Sequence, residues 1–287
     1  QSDIGVVTWA LLVACVALVL IFRSSANLAA AYGIAVTSTM FITTILFYRV
    51  ARDRFGWSKW PTVALTALFL TIDLAFLGAN IPKIPKGGWI PITIGAVLLL
   101  VLTTWHTGRA LTAARLADQA LPITDFAAKL GEKAPQRGPG VGLYLGSNPD
   151  VVPQSLSSHL RHARVLPEHV CVLAVEVHSR PHVPEEERLT ADRLANGLWQ
   201  LKINLGFTDD VDVPAELARG GTELTGLDFT NASYVLGRET LRVTDRPGMA
   251  QWREHLFVVM LRNATTADAF FKLPPEQTIE LGVQVEI

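Results

Sequence analysis

Cysteine, methionine and tyrosine are scarce in this chain, at 2, 3 and 4 residues among 287. Cys15 lies in an apolar run and Cys171 in a strand-like one, so neither part has a disulfide framework. Charge is scarce too: 18% of residues are charged and the formal net charge is -1. A near-neutral total excludes the basic footprint of a nucleic-acid binder. No Cys/His pattern has zinc spacing, although His159, His162, His169, His178 and His182 fall close together. No Ser/His/Asp arrangement or nucleophile elbow is present either. Neither an enzyme, nor a metal centre, nor a cofactor is expected. Acidic residues are rarest early: up to Thr107 there are 7 Lys+Arg and 3 Asp+Glu, giving +4. From Gly108 onward there are 18 and 23, giving -5.

What fills the first part instead is apolar. Four segments, about 4–22, 28–48, 62–81 and 89–107, have the ~20-residue length a bilayer requires. Trp9, Trp57, Trp60, Trp89 and Trp105 fall at or near their ends, as in an aromatic belt. The chain starts at Gln1 with no basic n-region or cleavage site, so the first run is not a signal peptide and the sequence is expected to begin partway through a longer protein. The expected organisation is a membrane domain over 1–107, a juxtamembrane helix and linker over 108–138, and a soluble domain over 139–287.

The second apolar segment is too polar to be a mere anchor. Taken from Phe22 to Phe47, with the residues that lead into it, it carries Ser24, Ser25, Asn27, Tyr32, Thr37, Ser38, Thr39, Thr43 and Thr44. Small residues recur four apart, at Ala29, Gly33 and Thr37 and at Ala31, Ala35, Thr39 and Thr43, a spacing that lets helices approach closely. Asp73 sits near the middle of the third segment, where a carboxylate costs roughly 2.5–3.5 kcal/mol to insert. It must face the bundle or water, as a proton carrier, a pathway residue or a buried structural acid. Tyr32, Thr37, Ser38 and Asn80 offer oxygens that suit a large monovalent cation, or that hold helices together. Pro82, Pro85, Gly87 and Gly88 read as a compact turn without regular backbone bonding.

Arg49, Arg52, Arg54 and Lys59 make the second connection the most basic, against Lys83 and Lys86 in the third. By the positive-inside rule the second connection and everything after the fourth span are cytoplasmic. The soluble part should start with an amphipathic helix over 108–121 ended by Pro122, then a linker over 129–140. Strand-like runs at 141–145, 170–177, 198–205, 234–236 and 278–286 alternate with helical runs at 153–161, 214–219 and 249–263, an α/β or α+β pattern. GPGVGLYLGSN over 138–148 has the glycines of a phosphate loop, but lacks its Lys-Ser/Thr ending and precedes its strand.

These residues resemble the Kup/HAK/KT family of potassium uptake permeases. FRSSANLAAAYGIAVTSTM is similar to the family's SSxxLAAAYGIAVTxTM. IDLAFLGANIPKIPKGGWIPITIG is similar to its pattern of an acid, five residues, Ala-Asn and GGWxPL, with Ile92 in place of the usual Leu. TTWHTGR and PEQTIELGVQVEI resemble the end of its last span and its C-terminal ending. The resemblance implies an inverted-repeat transporter of the amino-acid-permease architecture, with twelve spans, of which these would be the last four. It implies a multi-pass protein of the cell (inner or plasma) membrane. Its partners would be the lipid bilayer, potassium ion and protons, by symport. The family's main cation ligands belong to earlier spans, so none is assigned here, though Asp73 and Asn80 match motif positions. The soluble domain is expected to dimerise, regulate or bind a nucleotide signal. The alternatives are another cation or amino-acid permease of the same architecture, or a membrane-anchored sensor.

Overall fold

A computed structural model describes residues 5–118, 120–132, 135–195, 197–242, 244 and 248–286. Ile4, residues 133–134 of the expected linker and Ile287 lie outside the described residues. The chain forms two compact units, Gln1–Thr103 and Thr104–Ile287.

The first unit holds helices α1 (Gly5–Phe22), α2 (Ser25–Asp53), α3 (Lys59–Asn80) and the start of α4 (Trp89–Asp118). Three helical stretches, Ser25–Asp53, Lys59–Lys86 and Trp89–Asp118, are long and apolar enough to cross a membrane, and α1 is a shorter apolar helix. Unpaired backbone polar groups are prohibitively costly in lipid, so continuous helix is the form such segments take. Side chains such as Val13, Leu20, Leu99 and Leu102 are exposed, the outward apolar surface that lipid-embedded helices carry.

Two corners set the geometry of this unit. Between α2 and α3, Trp57 packs edge-on against Phe47 with ring centroids 5.9 Å apart, and Arg52 Nη1 donates to the Trp57 carbonyl at 2.7 Å. After α3, the turn expected to lack regular bonding is a 3-10 helix, Ile81–Lys86, which corrects that reading. Pro82 and Pro85 fit because their fixed φ suits tight helical turns. Gly87 follows with φ 133°, and a Cβ there would stand 2.5 Å from Phe22 Cε1. A Cβ at Gly88 would stand 2.7 Å from Ile34 Cγ1. These two glycines let the corner seat against α1 and α2.

The second unit is an α/β domain built on a six-stranded sheet of order β3-β4-β2-β1-β5-β6. Its strands are β1 (Gln136–Gly146), β2 (Val165–His178), β3 (Leu189–Ala195), β4 (Leu198–Gly206), β5 (Ser233–Arg242) and β6 (Thr278–Glu286). All neighbours pair in parallel except edge strand β3, which is antiparallel to β4. Helices α5 (Ile123–Glu132) and α6 (Gln154–Ala163) cover one face, where Phe126, Leu156, Val170, Val172 and Leu198 are buried. Cys171, Leu173, Leu201, Ile203, Leu217 and Phe229 fill the other face. The VCVLAV run of β2 is apolar without alternation because both of its faces are covered.

Three sequence expectations are corrected here. The stretch over 138–140 is not linker: Gln136–Gly138 pairs with Val165–Pro167, and a register shift before Val141, with Gly140 at φ 106°, makes it a bulge within β1. Pro and Gly punctuate bulges as well as loops, so composition alone misplaces them. The separate juxtamembrane helix is instead the continuation of α4 to Asp118, since nothing between 104 and 118 breaks the helix. β3, with its polar Thr190, Asp192 and Arg193, had no apolar run to announce it; it exists because β4 supplies a partner edge.

Candidate functional site

The polar residues of the membrane unit converge on the seam between α2 and α3. On α3 the buried positions are Thr62, Asp73 and Asn80, and on α2 they are Ala30, Ala31, Ile34, Thr37 and Ala51. Asp73 and Asn80 are seven apart, hence on one helix face. Gly33 opposes Asn80 while Thr44 opposes Asp73, so the two helices run antiparallel. A Cβ at Gly33 would lie 2.6 Å from Asn80 Oδ1. The glycine is what admits the amide.

Asp73 is 4% exposed, and Thr44 Oγ1 donates to its Oδ2 at 2.5 Å. No ion pair to Asp73 is present among the described residues, and apart from Thr71, whose hydroxyl donates to the Ala67 carbonyl, one turn of α3 either side of it is apolar. The nearest cation along the chain is Lys83, whose Nζ donates to Asn80 Oδ1 at 2.9 Å. Asn80 sits two helical turns from Asp73, about 10 Å along the axis. The Asn80 amide is held at both ends, because its Nδ2 donates to the Phe76 carbonyl at 2.9 Å. Thr37 Oγ1 donates back to Gly33 O at 2.8 Å. Thr66, seven residues before Asp73, has a buried Oγ1 without a hydrogen-bond partner among the described residues. The arrangement is a polar track along the α2–α3 seam.

Of the residues singled out from sequence, Asp73, Asn80, Gly33 and Thr37 come together in this seam. Tyr32 and Ala29 do not: Tyr32 is 71% exposed and Ala29 is also exposed. Thr44 and Lys83 were not expected as partners. The seven-residue recurrence of Thr66, Asp73 and Asn80 is the signal that finds the α3 side.

In the soluble domain His159 and His178 make protein contacts, whereas the buried Nδ1 of His169 has no hydrogen-bond partner among the described residues. His159 Nδ1 and the Tyr144 hydroxyl share a hydrogen bond of 2.6 Å, and His178 Nε2 lies 3.0 Å from Asn204 Oδ1. Burial pushes the Tyr144 phenol well above its usual pKa, opposed by the nearby Arg137 charge, so this pair is neutral on the tyrosine side. Burial also pushes the Cys171 thiol up to about 12, making it an inert core residue. No group of three metal-ligating side chains occurs among the described residues. The glycines over 138–148 form strand β1 and its exit, with no helix following directly as a phosphate cradle would need.

The loops after β2 and β4 are joined through Asp209. Its side chain is 3% exposed; Oδ1 meets His182 Nδ1 at 2.7 Å, and Oδ2 accepts from the Gly206 and Val183 amides at 2.8 and 3.0 Å. Arg188 bridges Asp209 and Glu216 at 3.2 and 3.3 Å. The His182 hydrogen bond, then the two amides and the Arg188 charge, hold the Asp209 carboxyl far below the usual carboxylate range, against its desolvation. A lowered folded pKa stabilises the domain above the unfolded value of about 3.9, and that stabilisation is lost as pH falls below it. Asp209→Asn should therefore lower the melting temperature more at pH 7 than at pH 3. An equal loss at both pH values would show that the charge is irrelevant.

An apolar helical unit with a buried carboxylate seam, joined to an α/β domain, defines a class: polytopic membrane transport proteins carrying a soluble domain. The comparison with known families agrees. The family described as "K+ potassium transporter integral membrane domain" matches residues 1–110, and "K+ potassium transporter C-terminal domain" matches residues 139–287. The chain belongs to this potassium transporter family, the Kup/HAK/KT family. It is 44% identical over 287 residues to a protein of Anaeromyxobacter dehalogenans (strain 2CP-C) described as "Probable potassium transport system protein Kup", covering 98% of this chain and 43% of that one. Bdellovibrio bacteriovorus and Myxococcus xanthus have proteins of the same description, 40% and 42% identical over 100% and 97% of this chain and 44% and 43% of theirs. The chain thus spans less than half the length of these relatives.

Proposed function

We propose that this chain is the C-terminal part of a potassium importer that couples potassium to proton entry, with Asp73 as a proton-exchanging residue of the membrane domain. The observation that carries this reading is the buried Asp73, bonded to Thr44 and without a counter-ion among the described residues, inside the membrane domain of a potassium transporter family member. A carboxylate so placed is costly to keep ionised, and is retained where it moves charge. The gain or loss of a proton changes the field along the seam by a full unit charge. That makes it a means of linking proton entry to cation movement by alternating access.

The test is uptake of potassium or rubidium by the full-length protein in cells lacking their own importers. Uptake dependent on external pH and unaffected by amino acids supports the reading. Competition by an amino acid would transfer the protein to another permease class.

The basic second connection supports a cytoplasmic location for residues 108–287, where the α/β domain would regulate the permease, dimerise or bind a nucleotide signal. Cysteine labelling in intact cells tests the orientation. Lys83→Cys should react with an impermeant reagent and Lys59→Cys should not; the reverse pattern would invert the topology.

A further inference from the structure

Helices α5 and α6, which cover one face of the sheet, are tied together where each begins. Pro122 and Val151 form an isolated antiparallel bridge. In it the Val152 amide donates to the Leu121 carbonyl at 2.9 Å and the Ile123 amide to the Asp150 carbonyl at 3.0 Å. Ile123, Phe126 and Leu130 of α5 and Leu156 of α6 are buried in one core with the sheet. Beyond the bridge a cavity of about 350 Å³ lies between the two helices. Its apolar walls are Leu121, Phe126 and Leu130 on one side and Leu160 on the other. A volume of ~300–1,000 Å³, apolar walls and a few placed polar groups are the general marks of a small-molecule site.

The polar groups decide the class of ligand. Lys129 lies in the last turn of α5 and Arg161 in the last turn of α6, and both line this one cavity. Both are exposed, and neither has an ion pair among the described residues. They do not belong to a generally basic surface, since the chain from Gly108 onward carries a formal charge of -5. Cations at helix C-termini also complement the helix dipole, but that role needs no apolar cavity beside them. The other polar side chain of the wall is half-buried Ser157. One hydroxyl cannot satisfy the ring donors and acceptors of a nucleobase, and polar groups buried without partners are costly. An alkyl chain asks for no partner, and every methylene it buries against leucine and phenylalanine adds affinity.

We propose that the groove between α5 and α6 binds a small single-chain amphipathic anion. Its alkyl tail lies on Leu121, Phe126, Leu130 and Leu160, and its carboxylate or phosphate head is held by Lys129 and Arg161. The residues that form this site all belong to the α/β domain, so the inference does not depend on which ion the membrane unit carries.

The test uses the full chain in nanodiscs of zwitterionic phospholipid, exposed to decanoic acid that carries a diazirine near the end of its tail. Irradiation and peptide mapping should place the label on α5 and α6. Unlabelled decanoate or decyl phosphate should suppress it, whereas decanol and adenosine monophosphate at equal concentration should not. Lys129→Gln combined with Arg161→Gln should weaken decanoate binding about fivefold, because each exposed ion pair contributes up to about that factor. Ser157→Trp fills the cavity and should remove the label. The charge variant changes exposed positions alone, so it keeps the test decisive if Ser157→Trp fails to fold. Label confined to other parts of the chain, suppression by decanol as strong as by decanoate, or wild-type affinity in the charge variant would overturn the proposal. Suppression by adenosine monophosphate without suppression by decanoate would overturn it too, and would assign the groove to a nucleotide.

Discussion

Asp73→Asn in the full-length permease is expected to reduce potassium uptake by about tenfold or more, because the amide cannot release or take up a proton. The substitution is nearly isosteric. Thr44 Oγ1 can still donate to the amide oxygen, so the contact that joins α2 to α3 survives and membrane abundance should stay close to wild type. Uptake is read as rubidium or potassium influx at several external pH values, normalised to protein in the membrane. Loss of rate together with loss of pH dependence supports proton exchange at Asp73. A wild-type rate and pH profile would reduce Asp73 to a packing residue. Thr44→Val separates the two roles further: it removes the hydroxyl but keeps the shape, leaving the buried carboxylate without its donor. Its expected effect is a shifted pH profile with uptake retained in part.

Gly33→Leu acts on the same seam by a different route and should chiefly reduce the amount of folded protein. Even a Cβ at this position would reach within 2.6 Å of Asn80 Oδ1, and the Asn80 amide is tied to Phe76 and Lys83 and so cannot simply swing aside. Overpacking of this kind costs about 1–3 kcal/mol, and a leucine adds three carbons beyond the Cβ. The measurement is the monodisperse fraction after detergent extraction and its melting temperature. Asn80→Ala in the Gly33→Leu background should recover part of the loss, since it clears the atom that clashes. If Gly33→Leu folds and transports as wild type, the α2–α3 approach is looser than the structure shows.

These two residues differ in how they could be found. Asp73 is conspicuous in the sequence alone, because an acid in the middle of an apolar run is costly to place in lipid. Gly33 was legible only as a member of a stripe with Ala29 and Thr37. That stripe is only partly the one used: Gly33 and Thr37 lie at the seam, while Ala29 is exposed. The reason is geometric. A strict spacing of four drifts by about 40° per step around the helix. The buried positions Ala30, Ile34, Thr37 and Ala51 are spaced by four, three and fourteen and stay close to one line, with Ala31 buried beside them.

The positions of the membrane helices, the α/β character of the second part and the family itself were readable from composition, length and motif. Lipid demands long uninterrupted apolar helices, and a sheet covered on both faces demands short apolar runs, so both leave an unambiguous mark in the chain. Partner choice leaves none. Nine side chains with hydroxyl or amide groups punctuate the second apolar segment, and only the antiparallel docking of α2 on α3 selects Thr44 for Asp73. The order β3-β4-β2-β1-β5-β6, the bulge that takes Pro139 and Gly140 into β1, and the packing of Phe257 into the notch at Gly108 are likewise long-range outcomes. Each depends on which surfaces meet in space, and the local pattern of a segment carries no term for the surface it will meet.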